Sequence, residues 1–273
     1  MNRDVDIVRR YYDDHAEEEW NRLGGVSFEF AVTAHMMERL VKPGDRILDL
    51  GGGPGRYAIH FAKRGCDVTL ADLSEGNVAV AKREAERAGV RIAAFVADAR
   101  ALPGAIRGTF DHVFVMGPLY HLLEEGDRIA VIEGALSLLR PGGHLFVSFL
   151  LLFSGMIYYM KNDPEGILTD PQREPYLTDV TQGLPYGGDA FTKAYFIHPD
   201  AILPFMARFP LDRVALFGQE SVLAPQEERL KQASPAARAE WLRVAFLLAD
   251  RPEYLSYSEH AMYVGRKKKG GSR

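Results

Sequence analysis

The chain has 273 residues, enough for one α/β domain with an additional segment or for two small domains. Its apolar fraction of 47% supports a full core, and 33 basic against 37 acidic residues leave a net charge of -4, which argues against nucleic acid as the main partner. The one cysteine, Cys66, excludes an intramolecular disulfide and a cysteine-rich metal site; no apolar run reaches the roughly 18 residues of a membrane span and the first ten residues are too charged for a signal peptide, so a soluble cytoplasmic protein is expected.

Residues 3–22 read as helical. Val8, Tyr12, Ala16 and Trp20 recur one turn apart and line one face, amid the acidic run Asp13 to Glu19. Such a helix either packs on the core with its acids in water or serves as a lid, and residues 1–44 are taken as an N-terminal helical lid. Gly24-Gly25 ends it, and a second helix spans about 29–41 before the turn Lys42-Pro43-Gly44-Asp45.

The stretch Arg46-Ile47-Leu48-Asp49-Leu50-Gly51-Gly52-Gly53-Pro54-Gly55-Arg56 organises the rest of the chain. A short apolar strand, 46–50, runs into a Gly-rich turn and then a helix from Tyr57. This arrangement brings backbone close to a ligand, where side chains would collide with it. Asp72 closes the next strand, 67–72, about 20 residues beyond the glycines, the usual place for a carboxylate that accepts ribose hydroxyls. A dinucleotide is disfavoured. Its Gly-x-Gly-x-x-Gly spacing fails at Arg56, and Pro54 removes an N–H from a turn that would have to cradle a pyrophosphate. No Gly-Lys-Ser/Thr is present, so the NTPase phosphate loop is absent too. An adenosine without phosphates fits, and Asp49 suits an ammonium group.

These residues resemble the class I S-adenosylmethionine (SAM) dependent methyltransferases of the small-molecule type. Asp49, Gly51, Gly53 and Gly55 match their first motif, acid-x-Gly-x-Gly-x-Gly, and Asp72 matches the acid that ends their second. The resemblance implies SAM as cofactor and S-adenosylhomocysteine as product. It also implies a Rossmann-like, mostly parallel, doubly wound α/β sheet of seven strands with an antiparallel last strand.

The alternation continues. A helix opened by Ser74 or Glu75 runs to Ala88, and a strand at 91–96 leads to Asp98 and Ala99. In the resembled family an acid here accepts the adenine amino group, and Asp98 matches it; Leu73, Ala99 and Met116 complete the expected cofactor contacts. The fourth strand, 110–115, is a buried parallel strand by its apolar pattern. It runs into Met116-Gly117-Pro118-Leu119-Tyr120-His121-Leu122, which departs from the Asp/Asn-Pro-Pro-Tyr/Phe form that methylates amide or base amino groups. The acids of metal-dependent catechol enzymes are missing as well, so no metal is expected. A helix over about 126–139, the turn Arg140-Pro141-Gly142-Gly143 and a fifth strand over 144–150 close the SAM-binding core, 45–152.

From 153 to 192 the pattern breaks into a long polar loop with aromatics, read as a substrate-cap insertion. Closing elements fill 193–266: a helix at 199–208, a strand at 211–221, one or two helices over 227–249 broken near Ser234-Pro235, and a last strand at 259–266. Residues 267–273 read as a disordered tail.

Methyl transfer from a sulfonium is an in-line displacement in which alignment supplies most of the acceleration. His121 is the candidate base, since it lies just beyond the fourth strand and its ordinary pKa lies near neutrality; Tyr120 is its candidate catalytic neighbour. Tyr12, Trp20 and Tyr158 are candidate substrate contacts. The expected acceptor is the oxygen or nitrogen of a small molecule. A peptide or RNA acceptor and a non-catalytic SAM-binding protein are the alternatives, with a nicotinamide oxidoreductase more distant. Neither nucleic acid nor membrane is an expected partner, and a monomer or homodimer is expected.

Overall fold

The computed structural model describes residues 3–102, 106 and 108–269. Three helices come first, α1 (Arg3–Asp14), α2 (Ala16–Arg22) and α3 (Phe28–Glu38). The single helix expected over 3–22 is two. At His15 the backbone leaves helical geometry (φ −117°, ψ 21°), and the imidazole turns back on the Tyr11 carbonyl. Ser27 caps α3, its hydroxyl accepting the Phe30 N–H.

The alternating half comes next as β1 (Arg46–Leu50), α4 (Arg56–Lys63), β2 (Asp67–Asp72), α5 (Glu75–Arg87), β3 (Ala93–Val96), β4 (Phe110–Val115), α6 (Glu125–Leu138) and β5 (Leu139–Leu151). A 3-10 turn, Pro118–His121, lies between β4 and α6. β5 begins earlier than expected. The Arg140-Pro141-Gly142-Gly143 segment is absorbed into the strand, where its register against β4 shifts between Phe110 and His112.

The segment after β5 is not a loop. It folds as α7 (Ser154–Asn162), α8 (Gly166–Thr169) and α9 (Arg173–Gln182), then a hairpin of β6 (Tyr186–Asp189) and β7 (Lys193–Ile197). Leu150, Leu152, Tyr176, Tyr186, Ala194 and Phe196 form a small core of their own. Tyr176 ties it together, donating to the Leu152 carbonyl at 2.6 Å and accepting the Met156 N–H at 3.2 Å. A Cβ on Gly155 would come within 2.7 Å of the Tyr176 ring, so α7 packs on it with no side chain between. The chain closes with α10 (Pro199–Met206), β8 (Leu211–Gly218), α11 (Glu227–Lys231), α12 (Pro235–Leu248) and β9 (His260–Lys267). Ser234 caps α12 and Pro235 starts it, which explains the break before it. Of the tail expected at 267–273, Lys267 belongs to β9, with its ammonium on the Leu136 and Leu139 carbonyls; residues 270–273 lie outside the described residues.

The strand order is β3-β2-β1-β4-β5-β9-β8, with β7 and β6 continuing off the far end of β5. Among the described residues the sheet has nine strands rather than seven. The additions are β6 and β7, whose short run and Gly187-Gly188 hide any period-two signal. β1 to β5 run parallel and β9 runs against β5 and β8. Successive side chains alternate between faces. Leu48, Leu50, Val113, Val115, Leu145 and Val147 therefore enter one core with α6 and α10, while Ile47, Val68, Leu70, Phe114 and Phe146 enter the other with α3, α4 and α5. β1 lies between β2 and β4, so growth of the sheet reverses there and a crevice opens beyond the carboxyl ends of both strands. No helix among the described residues is long and apolar enough to cross a membrane.

Candidate functional site

The glycines sit at that crevice, and each answers a different constraint. Gly51, Gly53 and Gly55 all have positive φ, at 65°, 55° and 87°, where a Cβ is disfavoured. A side chain on Gly51 would overlap the Pro118 ring, and one on Gly55 would come within 3.0 Å of Ala81 on α5. Gly53 differs: a Cβ there meets nothing closer than Asn77 Nδ2 at 4.0 Å. Two of the glycines thus serve packing, and the third faces open space in a cavity.

Asp72 holds this loop in place. Its Oδ2 accepts the Gly53 N–H at 2.8 Å, and its Oδ1 accepts the Ser74 N–H at 2.9 Å and the Asn77 amide at 3.2 Å. Burial raises its pKa against those three donors. Asp49 lies on the same face of the sheet and is 1% exposed. Neither of its carboxylate oxygens has a hydrogen-bond partner among the described residues. Burial, with the Asp72 charge beside it, pushes Asp49 up from 3.8 to about 7. An unpaired buried carboxylate is expensive, and a cationic ligand group would relieve it.

The raised Asp49 pKa makes stability depend on pH. Asp49 holds its proton in the folded protein at pH values where the unfolded chain has lost it, so stability falls as pH rises through the window from about 4 to about 7. Asp49→Asn has no such loss. The melting temperature of the variant relative to wild type is expected to increase between pH 5 and pH 8, by roughly 2 °C or more. Thermal melts of the ligand-free proteins at the two pH values check this, and a pH-independent difference counts against the ionisation.

Leu73, Asp98, Ala99 and Met116 line the same cavity. Asp98 is held by Arg100, whose guanidinium spans both its oxygens and reaches Asp127 at 2.9 Å. Burial would raise Asp98, and the Arg100 bonds outweigh it, keeping the carboxyl ionised. The N-terminal helices close the opposite side, where Val5, Val8 and Tyr12 face the cavity. Contacts to Ser74, α5 and α4 help to fasten them. Asp13 accepts the Ser74 hydroxyl at 2.7 Å, Arg83 binds Glu17 at 2.5 and 2.9 Å, and Arg56 donates to the Trp20 carbonyl.

A second cavity of about 490 Å³ adjoins the first, and the two share Tyr12, Glu19, Arg22 and Tyr120. Seven tyrosines line it, at 11, 12, 120, 158, 159, 176 and 186, and α7, α9 and β6 supply its far wall. Its acids are engaged. Glu19 is paired with Arg22, Glu259 with Lys161, Asp189 with Lys193, and Asp170 accepts the Tyr159 hydroxyl.

His121 reaches the junction of the cavities, but both its nitrogens are taken. Nδ1 lies 2.9 Å from the Lys193 carbonyl and Nε2 lies 2.8 Å from the Tyr12 hydroxyl. A carbonyl only accepts, so Nδ1 carries the proton and Nε2 accepts from Tyr12. Burial lowers the imidazole to about 4, with the Lys193 bond opposing. Tyr120 donates to the Met116 carbonyl at 2.9 Å. Tyr12 and Tyr158 lie on the second cavity. Trp20 does not. Its ring stacks under the Arg56 guanidinium, 3.4 Å from the centroid, and lines neither cavity. The helix breaks at His15, so Trp20 does not continue the face of Val8 and Tyr12.

Sequence reasoning missed Arg22, Glu29 and Gln219 in the first cavity and Phe191 in the second. Gln219 bonds Ser148 and Thr33 across the sheet. These residues come from distant segments with no local motif, so no spacing flags them.

Residues 47–143 match the family described as Methyltransferase domain. The chain is 34% identical over 169 residues to a ubiquinone biosynthesis O-methyltransferase of Xanthomonas euvesicatoria pv. vesicatoria (strain 85-10), covering 59% of this chain and 67% of that protein. Among solved structures, the 1,6-didemethyltoxoflavin-N1-methyltransferase of Burkholderia thailandensis, with 1,6-didemethyltoxoflavin and S-adenosylhomocysteine bound, shares the fold at a TM-score of 0.59 and 17% identity, over 97% of this chain and 89% of that one. The magnesium protoporphyrin IX methyltransferase of Synechocystis PCC 6803, with S-adenosylhomocysteine bound, does so at 0.57 and 18%, over 97% and 100%.

Proposed function

The chain belongs to the class I SAM-dependent methyltransferases, and on that premise we propose that it methylates a hydroxyl oxygen of a small aromatic molecule held in the tyrosine-lined cavity. One observation carries the reading: the glycine-loop cavity and the aromatic cavity meet at Tyr12 and Tyr120. A donor in the first then lies end to end with an acceptor in the second. The curated relative's name, an O-methyltransferase of ubiquinone biosynthesis, favours oxygen and an aromatic ring. The paired acids of the second cavity favour a neutral acceptor over a cationic amine.

The residues of the first cavity fit SAM. Gly53 leaves room where any side chain would intrude, and the unpaired Asp49 carboxylate would meet the ammonium of the methionyl part. Asp72 would accept the ribose hydroxyls with the lone pairs that its three donors leave, and Leu73, Asp98 and Ala99 would border the adenine. SAM supplies an already electrophilic methyl group when bound. The chain aligns the acceptor with it and excludes water, and alignment of this kind supplies most of the rate. The α1–α2 pair and the α7–α9 cap would provide that exclusion.

His121 suits a positioning role better than that of a free base. A neutral imidazole fixed on the Lys193 carbonyl holds the Tyr12 hydroxyl at the junction. His121→Ala is expected to raise the acceptor KM several-fold while SAM affinity stays within about twofold. An acidic limb near pH 4 in the wild-type rate profile, lost in the variant, would instead make His121 the base.

The function is tested by calorimetric titration with S-adenosylhomocysteine, followed by transfer of labelled methyl from SAM to a panel of phenols, catechols and primary amines. Label on the hydroxylated aromatics is expected. Label confined to amines, or no transfer by protein that binds S-adenosylhomocysteine, overturns the reading.

A further inference from the structure

His260, an ionisable group on the acceptor cavity, has no part in that scheme. It opens β9, opposite Leu150 of β5. Its Nδ1 lies 2.8 Å from Glu220 Oε1. The other Glu220 oxygen accepts the backbone N–H groups of Glu259 and His260, at 3.1 and 3.0 Å. A carboxylate held by two backbone donors is a rigid anchor, so the ring has one orientation, with Nδ1–H on Glu220. Nε2 has no hydrogen-bond partner among the described residues. His260 lines the acceptor cavity, and its ring centroid lies 5.7 Å from that of Tyr120, which borders both cavities.

The surroundings keep the ring charged. Burial works against the charge, but Glu220, Glu29 of α3 and Glu259 outweigh it and push His260 up to about 9. Arg22 of α2 pairs with Glu29, and Lys161 of α7 pairs with Glu259 and Glu227, so cations also face this cluster. Tyr120 faces it neutral, because burial raises its phenol, and buried His121 is neutral at working pH. Glu29, Glu220 and His260 bring potential ligand atoms within 4.8 Å of one another. The carboxylates already have donors, however: Arg22 on Glu29, and two backbone N–H groups with the imidazole on Glu220. The cluster is a hydrogen-bonded dyad with its supports.

We propose that His260, anchored by Glu220, binds the acceptor's hydroxyl through Nε2–H and holds that oxygen in its ionised form for methyl transfer. The inference rests on the methyl-transfer reading and deepens it. On binding, the acceptor O–H bond breaks and its proton leaves to water. Its electron pair stays on oxygen, facing the imidazolium N–H. That pair forms the new O–CH3 bond as the methyl–sulfur bond breaks, with its electrons remaining on sulfur. The imidazolium keeps its proton throughout. His260 is thus a catalytic residue and Glu220 a positioning residue.

The probe is 4-nitrocatechol, whose visible spectrum separates its neutral and ionised forms. With S-adenosylhomocysteine present, the wild-type protein is expected to bind it ionised at a pH where free probe is neutral. His260→Asn is expected to bind it neutral and to lower kcat with SAM about 10²-fold, with S-adenosylhomocysteine affinity within about twofold. Glu220→Gln tests the anchor. Wild-type turnover is expected to fall above about pH 9 as the imidazole loses its proton, and the variant's alkaline limb is expected at least one pH unit lower. A purely structural Glu220 would leave that limb in place. If Glu220→Gln fails to fold, His260→Asn decides alone. Unchanged probe ionisation and turnover in His260→Asn overturn this inference and leave the methyl-transfer reading standing. Wild-type protein that binds S-adenosylhomocysteine but never ionises the probe overturns it as well. Absence of any methyl transfer overturns the reading beneath it.

Discussion

Gly53→Val is expected to abolish detectable SAM binding while the protein stays folded. Its backbone sits at φ +55°, a region that costs a residue with a Cβ about 1–2 kcal/mol and a β-branched one more. That strain falls on the loop. An added Cβ meets no protein atom closer than 4.0 Å. The isopropyl group therefore occupies the cavity itself, in the space the cofactor needs. Gly53→Ala should lose less, on the order of tenfold. Gly55→Val is the contrast: its Cβ would press on Ala81 at 3.0 Å, so its effect should appear first in the melting temperature. Calorimetry with S-adenosylhomocysteine and thermal melts on the three variants separate the cases. Folded Gly53→Val protein binding within tenfold of wild type would remove this loop from the cofactor site.

Asp72→Ala is expected to lower SAM affinity ten- to a hundred-fold. Hydrogen bonds to a charged acceptor contribute about 1.5–3 kcal/mol, and about 1.4 kcal/mol is a factor of ten. The carboxylate has two tasks. It would accept the ribose hydroxyls, and it holds the Gly53 N–H, the Ser74 N–H and the Asn77 amide. Truncation leaves those three donors unpaired and loosens the loop. Asp72→Asn keeps one accepting oxygen and the side-chain volume, so its loss should be smaller. A titration showing unchanged affinity in Asp72→Ala would dismiss the ribose contact.

The parallel half of the sheet is legible because its signals are local. Ile47 to Leu50 must be buried on both faces, so the strand reads as an apolar run. Positive φ at Gly51, Gly53 and Gly55 demands glycine, so the turn is written in residue type. Asp72 and Asp98 stand at strand ends, where the topology delivers them to one crevice.

The segment from α7 to β7 was not legible as structure. Its three helices bury few residues each, and Tyr176 and Tyr186 pack against Phe196 of a strand that local pattern does not announce. Tryptophan at position 20 reads as a substrate aromatic on a continuous helix, and one non-helical residue, His15, is enough to turn it onto Arg56.

The sequence by itself determined the fold class, the glycine loop and the acids Asp49 and Asp72, because each comes from a contiguous stretch with its own steric or burial requirement. Only the tertiary structure decided what surrounds the histidines. His121 stands in the expected loop, yet the Lys193 carbonyl, 72 residues away, and Tyr12, 109 residues away, occupy both its nitrogens. The His260 pKa is raised by Glu220, 40 residues away, and by Glu29 on α3. An imidazole's protonation is set by whichever dipoles and charges surround it in space, and no spacing along the chain records them.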